Sequence, residues 1–244
     1  MSSLTVGPAA QILNKLHRDA DAVDARKLSG RVCRSRAWQR FGETMAAMES
    51  SGATLEQVAA EMLTEERVDY RALYRGFAHN FLAVSPTYGR FLYAIARACK
   101  ATWIVEFGTS MGISTIYLAA ALRDNGGGHL ISSELEPGKV ARARANLDAA
   151  GLGDLVDIRE GDAIETLKDI GGEVDLLLID GAFSLYLPVL KLVEPRLKPG
   201  AVVLGENAFE PGYLDYVRNP ANAYDSQRLP IDEGNGNEFT VRPL

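Results

Sequence analysis

Cysteine, histidine and positive charge are scarce in this sequence, and each scarcity excludes something. Cys33 and Cys99 are the only cysteines in 244 residues and fit no CxxC pattern, so neither a disulfide framework nor a cysteine metal site is expected. Reduced thiols of this kind point to a cytoplasmic protein. His17, His79 and His129 are too few and too scattered to build an imidazole metal cluster. No apolar run reaches membrane-spanning length, and the first residues lack the basic start and apolar block of a signal peptide. A formal net charge of −6 gives no reason to expect a nucleic-acid face or an anionic-membrane partner. The phosphate-cradling patterns GxGxxG and GxxxxGK[ST] are missing as well.

What is present is ordinary core-forming material, at 47% hydrophobic residues, arranged in two regimes. Residues 1–83 read as helical throughout, with candidate helices near 8–28, 35–50, 54–63 and 66–82. A further helix over 86–99 is introduced by Ser85 as cap and Pro86 in the first turn. Tyr70, Leu73, Tyr74, Phe77 and Phe81 share one helical face and read first as packing, with a pocket wall as the alternative. From residue 102 short apolar runs alternate with helical patterns: TWIVEFG, HLISSE, LVDIREGD, VDLLLID and AVVLGEN are the strand candidates. This alternation predicts an α/β fold, a doubly wound Rossmann-like and mostly parallel sheet. SQRLPI and NEFTVRPL, around DEGNGN, predict a C-terminal antiparallel hairpin added to it. The expected organisation is a helical segment over 1–83 and a ligand-binding domain over 84–244.

In a doubly wound sheet ligands bind beyond the carboxyl ends of the strands. Those ends carry Glu106 and Gly108, Glu134, Asp162, Asp180, and Glu206 with Asn207. Each acid alone has a structural reading, as a helix-start residue. An acid after every strand on one edge suits a ligand with a cationic centre and free hydroxyls, not a bare phosphate. S-adenosylmethionine is such a ligand: its sulfonium and ammonium suit the acidic rim. Its carboxylate suits a helix N-terminus, and its ribose hydroxyls suit a carboxylate that accepts from both.

VEFGTSMGIST, SSELEP, EGDA, LLLIDGAFSLYLPVL and KPGAVVLGEN together resemble the class I S-adenosylmethionine-dependent methyltransferases, and more closely the bacterial catechol-type O-methyltransferases. The resemblance covers residues 82–244. It implies that Glu106 meets the methionine ammonium, with the backbone near Gly108, Ser110 and Gly112. It implies Ser114 at the methionine carboxylate, Val84 against the cofactor from the preceding loop, and Glu134 on the ribose. Asp162 and Ala163 fall at the adenine, and Asp180 near the sulfonium and methyl, which makes it the candidate catalytic residue. In the metal-dependent branch Asp, Asp and Asn hold a divalent cation, and the matching residues here are Asp180, Glu206 and Asn207. The oxygen donors suit magnesium or calcium. Glu206 stands one methylene longer than the usual Asp, and Phe183 stands where many relatives place a proton-accepting lysine.

The function expected from these residues is methyl transfer from S-adenosylmethionine to a hydroxyl of a small molecule, with Mg2+ or another divalent cation as a candidate cofactor. The alternatives are a protein that binds the cofactor without turning it over, for which Phe183 is the support, and a nicotinamide-dependent oxidoreductase, against which the missing GxGxxG stands. A homodimer, through the N-terminal helices, is the expected assembly.

Overall fold

The computed structural model describes residues 2–24, 52, 54–232 and 236–243. The expected helix over 35–50, Cys33 and part of the DEGNGN turn lie outside the described residues. Seven strands form one sheet in the order β3-β2-β1-β4-β5-β7-β6. β1 (Trp103–Phe107), β2 (His129–Glu134), β3 (Val156–Glu160), β4 (Val174–Ile179) and β5 (Leu197–Gly205) pair in parallel. β7 (Glu238–Val241) runs antiparallel to both β5 and β6 (Asp225–Arg228), which is the hairpin expected at the C-terminus. The chain direction of winding reverses between β1 and β4, so a crevice opens beyond their carboxyl ends.

Strand alternation divides the core into two. Ile104, Leu130, Ile158, Leu176, Leu178 and Leu204 face one helical layer; Val105, Ile131, Leu177, Ile179 and Val203 face the other. The first layer contains α1 (Pro8–Asp24), α3 (Pro86–Ala98), α4 (Ile113–Asn125) and α5 (Pro137–Ala149). α4 lies between the sheet and the outer helices, and its first ten residues are all buried, which explains why its sequence is apolar on every side. The second layer contains α6 (Ala163–Thr166), α7 (Tyr186–Val193) and α8 (Pro211–Arg218). α8 went unnoticed in the sequence, although Glu210 accepts from Tyr213 N at 2.5 Å as its cap and Pro211 opens its first turn.

α3 begins as expected: Ser85 Oγ accepts from the amides of Thr87 and Tyr88 at 3.1 and 3.0 Å. The N-terminal region departs from expectation in where its helices divide and end. The candidates 54–63 and 66–82 correspond to the two stretches of α2 (Leu55–Gly76), which meet at Asp69, in an extended conformation at φ −163 and ψ 86, and the second ends at Gly76. Asp69 then caps the second half, its carboxylate accepting from Ala72 N at 3.0 Å. The apolar stripe lies after the break and divides among three surroundings. Leu73 and Phe77 bury in a small cluster of their own, Phe81 leaves the helix for the main core, and Tyr70 and Tyr74 pack toward the second layer.

Candidate functional site

Beyond the strand ends of β1, β2, β3 and β4 lies a cleft whose lining includes Gly108, Ser110, Glu134, Asp162, Ala163 and Asp180. Six of the residues expected to touch one ligand therefore converge on one space. Its enclosed volume is ≈60 Å³, because Tyr70 and Tyr74 of α2 and Leu82 after it close its other side.

Two glycines set the turn after β1. Gly108 has φ +105, and a Cβ there would stand 1.9 Å from the carbonyl oxygen of Asp180. Only a glycine lets the ends of β1 and β4 approach so closely. Gly112, at φ +86, is the N-cap of α4 without any side-chain cap, so the first amides of that helix are left for another acceptor. Between them Ser110 adopts φ +47, and its amide donates to Glu134 at 2.7 Å. Glu134 also accepts from Glu136 N at 2.9 Å, so each of its oxygens is oriented by one backbone amide and keeps a further lone pair for a ligand.

Glu106, Ser114 and Val84 lie behind this surface. Glu106 is fully buried and accepts from Ser114 at 2.7 Å, Thr115 at 2.6 Å and Ser132 at 2.5 Å. Burial pushes its carboxyl up, and the three hydroxyls oppose that shift. The geometry makes it an anchor of the α4 start on β1 and β2. Val84 is buried in the core between α3 and the loop before it.

Asp162 caps α6, accepting from Ile164 N at 3.0 Å, and its other oxygen accepts from the Tyr70 hydroxyl and from Arg71 Nε at 2.8 Å. Nothing in the sequence marks this tie between α2 and the loop after β3. Lys139, one helical turn into α5, was also missed. It is 3% exposed, its Nζ donates to Ser110 Oγ at 3.2 Å, and its charge works to lower the Asp180 carboxyl. PGK so soon after Glu134 was the available signal.

Asp180 and Glu206 follow the ends of β4 and β5, and their carboxyls act on one another. Burial, then the charge of Glu206, pushes Asp180 well up; burial raises Glu206 to about 7. Both carboxyls are thereby biased toward their protonated forms. Among the described residues the buried hydroxyl of Tyr88 finds no hydrogen-bond partner, and the charges of Glu206 and Asp180 both act on it. Asn207 follows at φ +50, its amide donating to the side chain of buried Asn237 at 3.0 Å. Two carboxyls and an adjacent amide side chain are oxygen donors of the kind magnesium and calcium take, so the residues fit a divalent cation. Among the described residues no group of three or more His, Cys, Asp and Glu side chains is arranged to hold a metal.

His79 does not approach this centre. It is exposed and lines a separate cavity of ≈520 Å³ with Asp19, Met111 and Arg142.

The match to known proteins follows the same residues. The family profile described as a methyltransferase domain matches residues 105–208. Catechol O-methyltransferase of Niastella koreensis is 36% identical over 135 residues, covering 54% of this chain and 60% of that protein. Catechol O-methyltransferase of Mycobacterium tuberculosis is 32% identical over 148 residues, covering 60% and 66%. The chain thus spans about three fifths to two thirds of the length of these relatives. Among solved structures, cofactor-bound Rv0187 from MTB superimposes with a TM-score of 0.61 at 25% identity, over 72% of this chain and 88% of that one. The O-methyltransferase from Bacillus cereus in complex with SAH gives a TM-score of 0.62 at 24% identity, over 74% and 90%. Fold and site together define a Rossmann-like methyltransferase domain. Residues 105–208 match a methyltransferase-domain family, and the chain is similar to class I S-adenosylmethionine-dependent O-methyltransferases, among them relatives named catechol O-methyltransferase.

Proposed function

We propose that this chain transfers the methyl group of S-adenosylmethionine to a hydroxyl of a small molecule. The observation that carries the reading is the convergence of Gly108, Ser110, Glu134, Asp162, Ala163 and Asp180 on one cleft at the switch point of the sheet. S-adenosylmethionine supplies a methyl on a sulfonium, which is already a good leaving group, so the protein's work is alignment and removal of one proton. Glu134 holds the ribose hydroxyls through its free lone pairs. The α4 amides, Ser110 and Ser114 meet the methionine carboxylate, with the charge of Lys139 beside them. Asp180 lies at the reacting end, and Glu106 and Val84 support the turn and the loop that hold the cofactor. Asp162 and Ala163 bound the adenine, where Tyr70 and Arg71 now hold the Asp162 carboxylate.

Asp180, Glu206 and Asn207 would hold a divalent cation, whose charge would favour the ionised acceptor hydroxyl. Residues 1–83 serve as a cap on the acceptor side, as a contact in a homodimer, or as both, and the protein works in the cytoplasm. Among the described residues no helix is long and apolar enough to cross a membrane.

The test is a calorimetric titration with S-adenosylhomocysteine, followed by transfer of labelled methyl to a panel of catechols and phenols. Glu134→Ala is expected to weaken cofactor binding at least 10-fold, because the ribose loses a charged acceptor. Unchanged affinity in that variant removes the assignment. Cofactor binding without transfer to any acceptor would favour a binding protein, the reading that Phe183 supports.

A further inference from the structure

An acceptor hydroxyl must lose its proton as it is methylated, and Phe183 has no group to take it. His79 lies in another cavity. Within the cleft, Tyr74 shares the lining with Asp180, Gly181 and Ala182. Its hydroxyl donates to Glu66 Oε1 at 3.0 Å and lies 3.3 Å from the carbonyl oxygen of Gly181. A phenol has one proton and two lone pairs, so a Tyr74 that donates toward Glu66 still presents an acceptor to a hydroxyl in the cleft. Glu66 is 2% exposed and reaches from α2 to the turn after β4, accepting from Phe183 N at 3.1 Å and Ser184 N at 2.6 Å. The carboxylate is therefore seated on the backbone of Phe183 itself.

We propose that Tyr74 and Glu66 form the proton outlet of the methyl-transfer site, taking over the role for which Phe183 is unsuited. The inference rests on the methyltransferase reading given above. As the acceptor oxygen's lone pair forms the new C–O bond, the C–S bonding pair returns to sulfur and the sulfonium becomes a neutral thioether. The acceptor proton passes to Tyr74 Oη, and the original Tyr74 proton passes to the Glu66 carboxylate. Tyr74 ends neutral and Glu66 ends protonated, so charge and protons balance. Tyr74 is the group that touches the acceptor; Glu66 acts through it.

The surroundings suit this division. Burial raises the Glu66 carboxyl, while the two amides and the Tyr74 hydroxyl oppose that shift and keep an anion well solvated by the protein. The titratable groups that bear on the pair are Tyr186 of α7, Asp180 at the end of β4 and Glu134 at the end of β2. Burial first, then the charge and hydrogen bond of Glu66 and the charges of Asp180 and Glu134, hold the Tyr74 phenol well above its ordinary value, so it relays a proton without resting as a phenolate. A raised carboxyl is also a better base than an exposed one at neutral pH.

Steady-state methyl transfer by the full-length chain, with magnesium present and a catechol series graded in acidity, tests the pair. Tyr74→Phe leaves the Glu66 contacts with the 183–184 amides in place. It is expected to lower kcat about 100-fold, with S-adenosylhomocysteine affinity unchanged, and to lower it progressively less as the acceptor becomes more acidic. Glu66→Gln is expected to abolish the acid limb of the pH–kcat profile, an effect that loosening of the turn alone would not produce. Wild-type transfer that survives Tyr74→Phe, or an acid limb that survives Glu66→Gln in a folded variant, overturns the outlet and leaves the methyltransferase reading standing. A wild type that methylates nothing on the panel overturns both.

Discussion

Gly108 joins two strands that are far apart in sequence. Its positive φ and the 1.9 Å approach of the Asp180 carbonyl to a built Cβ mean that any side chain must push β1 and β4 apart. Gly108→Ala is therefore expected to cost about 3 kcal/mol or more, read from urea unfolding, and to weaken S-adenosylhomocysteine binding in parallel. Full stability in that variant would show that the turn relaxes where the packing says it cannot. At this scale much of the cofactor side was legible. Glu134, Asp162 and Asp180 each end a short apolar run, and a run of that length fixes which edge of a sheet its last residue reaches. Glu66 was not legible, because its partners are amides 117 and 118 positions away and amides carry no sequence signature. Nor were the partners of Glu106, three hydroxyls from two other elements that turn toward it.

α2 is fastened to the domain at two points of different character. Glu66 is buried, whereas the Arg71–Asp162 pair stands near solvent, with the arginine side chain 56% exposed and its Nη2 2.5 Å from the carboxylate. The cleft beneath encloses ≈60 Å³, far below the roughly 300 Å³ or more of small-molecule pockets. A ligand larger than this space would need α2 to move aside, and the exposed Arg71–Asp162 tie is the weaker of the two to break. Arg71→Ala is expected to speed association of S-adenosylhomocysteine several-fold in stopped-flow fluorescence, with little change in melting temperature, since exposed pairs add little stability. An unchanged association rate would place the entry path elsewhere. The helices were read from periodicity, and a division between 63 and 66 was expected, a few residues before the observed break at Asp69. Asp69 then caps its own downstream turn. Within that stretch Leu73 and Phe77 face a small cluster of their own, while Tyr74, one position on from Leu73, also reaches the cleft. The parallel sheet and hairpin, by contrast, follow from local alternation and turn residues that no distant contact overrides.

The whole molecule carries carboxyls displaced in both directions, and their opposition shapes its response to pH. Asp124, Asp162, Asp175 and Glu194 are held below their ordinary values by hydrogen bonds and cations that outweigh burial. Their stabilisation is present above the ordinary carboxylate range and is lost as pH falls below it. Glu66, Glu106, Asp180 and Glu206 are displaced upward, with burial the largest cause for each. For these the folded state keeps protons that the unfolded chain has released, so stability falls as pH rises from the ordinary carboxylate range toward about 7 for Glu206. With a chelator present, stability to urea is expected to peak at about pH 4.5–5 and to decline toward neutrality. A cation bound at Asp180 and Glu206 would displace the protons they hold, so magnesium is expected to restore stability at pH 8 and to do nothing at pH 4.5. Glu206→Gln should flatten the decline and remove the magnesium effect together, because both arise from the same pair. A chelated protein that is most stable at pH 8, or a pH 8 melting temperature indifferent to magnesium, would separate these carboxyls from any metal and leave proton removal to groups on α2.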